Sequence, residues 1–111
     1  MPARVIDPDG VANQIEGGIV QAASWTLKEA VRFEGDAMAT RDWEEYPILG
    51  FSEVPEVRVE LIDRPEQPPL GVGEASMGPT AAAIGNAVRR ALGVRLRDLP
   101  LTRDAIIAQM G

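Results

Sequence analysis

The sequence contains neither cysteine nor histidine. These absences exclude a zinc site of the usual ligands, a cysteine nucleophile, an iron–sulfur cluster held by this chain and a Ser-His-Asp triad. They also leave no disulfide bond from which a compartment could be inferred. No apolar run approaches the roughly 18 residues that a membrane-spanning helix needs. The first ten residues lack the apolar segment of a signal peptide. We therefore expect no membrane span.

Aromatic residues are also scarce, at five of 111. Because 45% of the residues are hydrophobic, the chain is expected to form one small domain with a core of Val, Ile, Leu and Ala. The net charge of −6 disfavours a nucleic-acid partner, since an acidic surface repels phosphates. A local exception consists of four arginines that are better explained by a nearby helix end than by a nucleic-acid patch: Arg89, Arg90, Arg95 and Arg97.

The N-terminal third of the chain has the pattern of a long helix. Asp7-Pro8 is a helix-start signal, and apolar residues from Val11 to Leu27 recur at steps near 3.6. This periodicity predicts a helix from about Pro8 to about Ala30. Gly17-Gly18 stands in its middle, where each glycine costs about 1 kcal/mol relative to alanine, so a compensating reason is expected.

The remaining elements are shorter. Residues 56 to 62 alternate apolar and polar, which makes them the best strand in the chain, and residues 31 to 34 are a second, shorter candidate followed by a turn at Gly35-Asp36. An Ala-rich helix with Pro79 near its start ends at Gly93, and a short helix from about Arg103 to Met110 follows Thr102 as N-cap. The fold class is therefore α+β: a long first helix, a small sheet including residues 56 to 62, an Ala-rich helix with a buried stripe (Ala81, Ile84, Val88 and Leu92), and a short terminal helix.

The segment Gly71-Val72-Gly73-Glu74 is the sharpest chemical signal. It follows a Pro-rich loop from Pro65 that cannot be regular structure. Two glycines allow close approach of a ligand to the backbone, and a carboxylate held at a helix start can act as a base. The plainer interpretation is that Glu74 only complements the helix dipole, and spacing alone favours it. The pattern is not a dinucleotide fingerprint, because the third glycine is missing.

A second candidate is a stripe on the first helix. Gln14, Gly17 or Gly18, and Gln21 are three or four residues apart and share one face. Amides beside a glycine notch can hydrogen-bond a polar ligand. Taken alone, the pattern is better explained if the glycines admit a neighbouring helix or strand and the glutamines lie at the edge.

The run from Arg41 to Tyr46 mixes charges with aromatic residues. It suits the rim of a substrate channel, but it is more typical of a surface loop that its aromatic residues pin in place.

Three stretches resemble the C-terminal part of the molybdopterin-binding large subunit in the xanthine dehydrogenase and aldehyde oxidase family of molybdenum hydroxylases. They are Asn13 to Gly18 with Val20-Gln21, Gly71 to Glu74, and the Ala-rich helix running into Gly93 to Leu101. The segments Ser24 to Glu29, Arg41 to Leu49 and Phe51 to Val57 are most similar to the isoquinoline 1-oxidoreductase beta-subunit type. The resemblance covers nearly the whole chain in order, so residues 1–111 are expected to be the C-terminal part of one molybdopterin-binding domain.

The resemblance implies an enzyme that hydroxylates a carbon of an N-heterocycle or an aldehyde with oxygen from water. It implies that Glu74 is the general base, that Gln14 approaches the pterin, and that Gly73, Gly17 and Gly18 allow close backbone approach to the cofactor. The implied cofactor is molybdenum-molybdopterin, its nucleotide form open, with [2Fe-2S] clusters on a partner. The implied partners are the remainder of the large subunit, an iron–sulfur small subunit and a small-molecule substrate. The compartment stays open between cytoplasm and periplasm.

Family large subunits have several hundred residues, and their other cofactor-binding loops have no counterpart here. We therefore expect the chain to be inactive alone and to show exposed apolar surface where the missing part would dock. The alternative hypotheses are a stand-alone interaction module that has lost the chemistry and a non-catalytic remnant of the fold.

Overall fold

The computed structural model describes residues 3–110. It contains helix α1 (Pro8–Leu27), strands β1 (Phe33–Glu34) and β2 (Ala37–Met38), helix α2 (Met77–Leu92) and helix α3 (Arg103–Met110), with a 3₁₀ turn at Phe51–Glu53. The two strands form an antiparallel hairpin in which Phe33 pairs with Met38. Helices with one small sheet confirm the α+β class.

Helix α1 begins as the sequence predicts. Asp7 accepts a hydrogen bond from the Gly10 amide at 3.2 Å, and Pro8 occupies the first turn. The helix ends at Leu27, three residues before the predicted end. The cause is tertiary: the Thr26 carbonyl, which would accept from Ala30 in a longer helix, accepts the Leu101 amide instead at 2.7 Å.

The predicted strand at residues 56 to 62 is wrong for this chain. Those residues are outside any strand, and the sheet in residues 3–110 is the hairpin of β1 and β2. Val57 and Val59 are half-buried while Arg58 and Glu60 are exposed, so the alternation of the sequence survives in the burial. What the segment lacks is a neighbouring strand to pair with.

Helices α2 and α3 largely follow their sequence signals. Gly93 caps α2 in the left-handed conformation at φ 75°, and its amide donates to the Arg89 carbonyl at 2.9 Å. Thr102 caps α3 by accepting from the Ala105 amide at 3.2 Å. The stripe expected to be buried on α2 is only half-buried, and Leu92 is 38% exposed.

The core is much smaller than the composition led us to expect. Within residues 3–110, the buried hydrophobic residues are Ala22, Ala23 and Leu101, while Phe33, Trp43 and Phe51 are each at least 68% exposed. The radius of gyration is 17.2 Å, against about 13 Å for a compact domain of this length. The chain thus exposes extensive apolar surface, as expected of a segment that docks on a larger body.

Candidate functional site

The two motif segments meet where α1 packs on α2. The Ser76 hydroxyl donates to the Ile15 carbonyl at 3.0 Å, and Ser76 is buried. This bond fastens the turn at residues 73–76 to the middle of α1. The pairing could not be read from the sequence, because a serine between Glu74 and a helix carries no distinguishing signal.

Gly18 makes the close packing possible. It is buried, and a Cβ added there would overlap the Ser76 hydroxyl oxygen. Gly18 therefore makes room for a neighbouring segment of the protein. This is the interpretation that spacing alone favoured over a contact with a ligand. Gly17 differs, since a Cβ there would meet nothing within 4 Å and the residue is exposed. Of the two glycines, Gly17 is the one whose backbone is open to an outside ligand.

Gln14 lies beside the glycine of the second motif. A Cβ added to Gly73 would be 3.7 Å from Gln14 Oε1, so the Gln14 amide and the Gly73 backbone are neighbours. Gln21, two turns further along α1, instead lines a separate cleft together with Gly17. The structure thus places Gln14 beside Gly73, the residue before Glu74, and leaves Gln21 apart.

Glu74 lies in the turn that leads into α2. The Met77 amide donates to the Glu74 carbonyl at 3.2 Å, and the Ala75 amide donates to the Val72 carbonyl at 3.3 Å. The residue is exposed, and within residues 3–110 its carboxylate has neither a hydrogen-bond donor nor a cationic partner. Its backbone is therefore fixed by the turn, and its exposed side chain is not fixed by a partner within residues 3–110.

A large open cleft of about 1180 Å³ lies along the adjacent face of α1. Its walls are the helix, the loop at residues 40–49 and the segment at residues 54–55. The Tyr46 hydroxyl donates to the Glu29 carboxylate at 2.8 Å, which ties this loop to the segment that follows α1. Trp43 packs edge-on against Tyr46 at 6.0 Å between ring centroids but remains 80% exposed.

Two ionisable groups beside this cleft have shifted pKa values. The hydrogen bond to Glu29 raises the pKa of Tyr46, with desolvation and the negative charge of Glu29 adding to it. The Lys28 ammonium, 2.6 Å from Glu53 Oε2, lowers the pKa of Glu53, and the hydrogen bond from the Gly50 amide adds to it. Both shifts come from contacts that tie residues 46–53 to the end of α1.

The residues at the junction fit one edge of a pterin. A pterin presents alternating donors and acceptors, which a primary amide such as Gln14 can match, and Gly73 adds no side chain that would block approach. Within residues 3–110, no cluster of three His, Cys, Asp or Glu side chains could hold a metal ion. In the same range, no helix is both long and apolar enough to cross a bilayer.

Comparison with known proteins identifies several relatives. Residues 3–55 match the model of the molybdopterin cofactor-binding domain. The chain is 43% identical over 107 residues to a subunit of nicotinate dehydrogenase from Pseudomonas putida, covering 96% of this chain and 9% of that protein. It is 39% identical over 106 residues to the beta subunit of isoquinoline 1-oxidoreductase from Brevundimonas diminuta, covering 96% of this chain and 13% of that protein.

Solved structures agree with the sequence relatives. Quinoline 2-oxidoreductase from Pseudomonas putida 86 superposes with a TM-score of 0.80 at 30% identity, over 96% of this chain and 14% of that one. The Cu,Mo-CO dehydrogenase, at 17% identity and a TM-score of 0.77, shares the fold. This chain therefore spans about a tenth to a seventh of the relatives it resembles. It belongs to the molybdopterin-binding subunits of the xanthine dehydrogenase family of molybdenum oxidoreductases, of which it represents one segment.

Proposed function

We propose that the chain, as one C-terminal segment of a molybdopterin-binding domain, forms a wall of a molybdenum hydroxylase active site in which Glu74 is the general base. The observation that carries this proposal is the junction of α1 with the turn before α2. The Ser76–Ile15 hydrogen bond at 3.0 Å and the neighbouring Gln14 and Gly73 place an amide and a carboxylate-bearing turn on one surface. Both belong to segments that resemble the family's functional motifs.

Glu74 suits proton transfer for two reasons. Its backbone is held by the turn at residues 73–76, so the carboxylate is presented from a fixed point. No cation within residues 3–110 competes for it, which leaves its oxygens free to accept a proton from the water that supplies the product oxygen. The net change at the substrate is replacement of a C–H bond by C–OH, with two protons and two electrons released.

The bound molybdenum-molybdopterin supplies the two-electron redox chemistry. Gln14 would hold one edge of the pterin through its amide, while Gly73 leaves room for the cofactor beside that amide. Gly17 lies on the cleft that Gln21 lines, so its open backbone would contact the cofactor only where the cofactor extends to that cleft. Gly18 is excluded from cofactor contact in this proposal, because Ser76 already fills the space in front of it. In this proposal the electrons pass to [2Fe-2S] clusters on a partner, because this chain has no cysteine that could ligate them.

The proposed substrate is an N-heterocycle or an aldehyde, the classes named by relatives such as nicotinate dehydrogenase and the aldehyde oxidoreductase of Escherichia coli. Most of the pocket residues that would select the substrate lie outside this chain. The probes for the complete enzyme are therefore nicotinate, isoquinoline and benzaldehyde, each with a dye as electron acceptor. A molybdenum-loaded enzyme that oxidises none of the three contradicts the proposed substrate class.

The decisive variant is Glu74→Gln in the complete enzyme. Molybdenum content should stay near wild type while kcat falls by roughly 10² to 10⁴-fold, the usual contribution of a general base. Glu66→Gln is the matched control, because Glu66 is exposed on the same loop. The kcat of this variant should equal that of the wild type. Wild-type kcat in Glu74→Gln would remove Glu74 from the mechanism.

A further inference from the structure

Glu74 lies in a four-residue turn that meets α1 at both of its ends. The turn runs from Gly73 to Ser76. At its first residue, Gly73 lies beside the Gln14 amide. At its last residue, the Ser76 hydroxyl donates to the Ile15 carbonyl at 3.0 Å. Because Gln14 and Ile15 are consecutive, one short stretch of α1 lies against both ends of the turn that carries Glu74.

Ser76 makes the firmer of these two attachments. It is buried, whereas Gly73, Glu74 and Ala75 are exposed. Its carbonyl accepts hydrogen bonds from both the amide and the hydroxyl of Thr80, at 3.1 and 2.6 Å. Ser76 is therefore bound to α1 through its side chain and to the second turn of α2 through its backbone.

The position of Glu74 relative to α1 matters for proton transfer. A general base must lie within hydrogen-bond reach of the proton that it takes, and a displacement of about 1 Å can lower the rate by roughly 10²-fold. Within residues 3–110, the bond from Ser76 to Ile15 is the hydrogen bond that joins the turn to α1. Its loss would leave the exposed residues of the turn held to the helix less tightly.

We propose that Ser76 is a positioning residue for Glu74, an inference that rests on the proposed function in which Glu74 is the general base. The Ser76 hydroxyl fixes the turn on α1, the helix whose Gln14 would hold the pterin. The base and the cofactor edge are thus held in one frame. The Ser76 proton is already donated to the Ile15 carbonyl, so Ser76 acts through position and not through proton transfer.

The test is turnover of the complete enzyme carrying Ser76→Ala, with whichever of the three probe substrates the wild type oxidises fastest. The kcat should fall by roughly tenfold or more, while KM and molybdenum content stay near wild type, because the lost bond contacts neither substrate nor cofactor. Thr102→Ala is the matched control, since it removes a hydroxyl that accepts the Ala105 amide at the start of α3. Its kcat should equal that of the wild type, and an equally unchanged kcat in Ser76→Ala overturns the proposal.

A double variant separates the hydrogen bond from the packing. A Cβ added at Gly18 would lie 3.7 Å from the Ser76 Cβ, an ordinary contact distance. Ser76→Ala combined with Gly18→Ala therefore refills the space of the lost hydroxyl without restoring the bond to Ile15. The kcat should stay as low as in Ser76→Ala alone. Recovery of wild-type kcat in the double variant would mean that Ser76 only fills space, which contradicts a positioning role.

A third comparison distinguishes failure of this inference from failure of the proposed function. If Ser76 acts through Glu74, Ser76→Ala should lower the residual kcat of Glu74→Gln by less than about twofold, because there is no base left to position. An equal reduction in the wild-type and Glu74→Gln backgrounds would overturn the role of Ser76 and leave Glu74 as the base. The proposed function itself fails only if Glu74→Gln alone turns over like the wild type.

Discussion

Gly18 on α1 faces the buried Ser76 so closely that position 18 has no room for a Cβ. Gly17, its neighbour in sequence, faces open space. One glycine of the pair is therefore a packing requirement, and the other is available to a ligand. This difference determines how the turn carrying Glu74 is held on the helix carrying Gln14.

The first prediction compares alanine at the two glycines. Gly18→Ala should lower the free energy of unfolding by about 1 to 3 kcal/mol, because Ser76 must move and lose its bond to Ile15. Gly17→Ala should raise it by up to about 1 kcal/mol, since an exposed helical glycine gains from replacement by alanine. Urea denaturation followed by circular dichroism measures both. Equal effects would contradict the assigned packing role of Gly18.

The second prediction concerns coupling between the two facing residues. Ser76→Ala removes the hydroxyl, and the Ser76 Cβ lies 3.7 Å from the position of an added Gly18 Cβ, an ordinary contact distance. Gly18→Ala should therefore cost much less in the Ser76→Ala background than in the wild type, with a coupling energy of about 1 kcal/mol. Strict additivity in the double-mutant cycle would show that Gly18→Ala acts elsewhere.

The third prediction tests Gln14 in the complete enzyme. Gln14→Ala should weaken retention of the pterin by roughly tenfold, the worth of one hydrogen bond whose partner is left unpaired. Molybdenum content after dialysis, measured by mass spectrometry, gives the readout. Gln109→Ala is the control, because Gln109 is an exposed amide on α3. Unchanged molybdenum content in Gln14→Ala would remove this residue from the cofactor site.

The fourth prediction uses Tyr46 as a reporter, since it is the sole tyrosine of the chain. Its hydrogen bond to Glu29 raises its pKa above 10.0, so the absorbance of phenolate at alkaline pH should rise later than in a free tyrosine. Glu29→Gln should move the midpoint back toward 10.0. Because the folded pKa is raised, the contact stabilises the loop below about pH 10 and loses this effect as the pH rises through the folded pKa. A midpoint that Glu29→Gln leaves unmoved would contradict the contact.

Local signals in the sequence predicted the helices well. Asp7-Pro8, Gly93 and Thr102 mark helix ends because capping depends on neighbours in sequence. The early end of α1 was not predictable, since it depends on Leu101, which is far from Thr26 in the sequence. The prediction of a strand at residues 56 to 62 was wrong for the same reason. Alternation indicates a half-buried face, but a strand also needs a neighbouring strand to pair with. Within residues 3–110, the nearest such pairing is the bridge between Ala3 and Asp63.

The candidate site was predictable in part. The Gly73-Glu74 and Gln14 segments could be selected from the sequence through family resemblance, and the structure places them side by side. Periodicity alone grouped Gln14 with Gln21, whereas Gln21 lines the separate cleft. Ser76, which fastens the two segments together, has no sequence signature. Its role depends on the space that Gly18 leaves.

The last prediction concerns acid sensitivity at the end of α1. Lys28 and the Gly50 amide lower the pKa of Glu53 below its usual 4.5. A lowered folded pKa means that the contact stabilises the folded chain above about pH 4.5 and is lost as the pH falls through the folded value. The melting temperature of the wild type should therefore drop more steeply below that pH than that of Glu53→Gln, which already lacks the contact at neutral pH. Glu56→Gln is the control, because its ion pair with Arg58 has side chains that are 75% and 87% exposed and is screened by solvent. Equal slopes for wild type and Glu53→Gln would show that the Lys28–Glu53 contact does not hold the loop in solution.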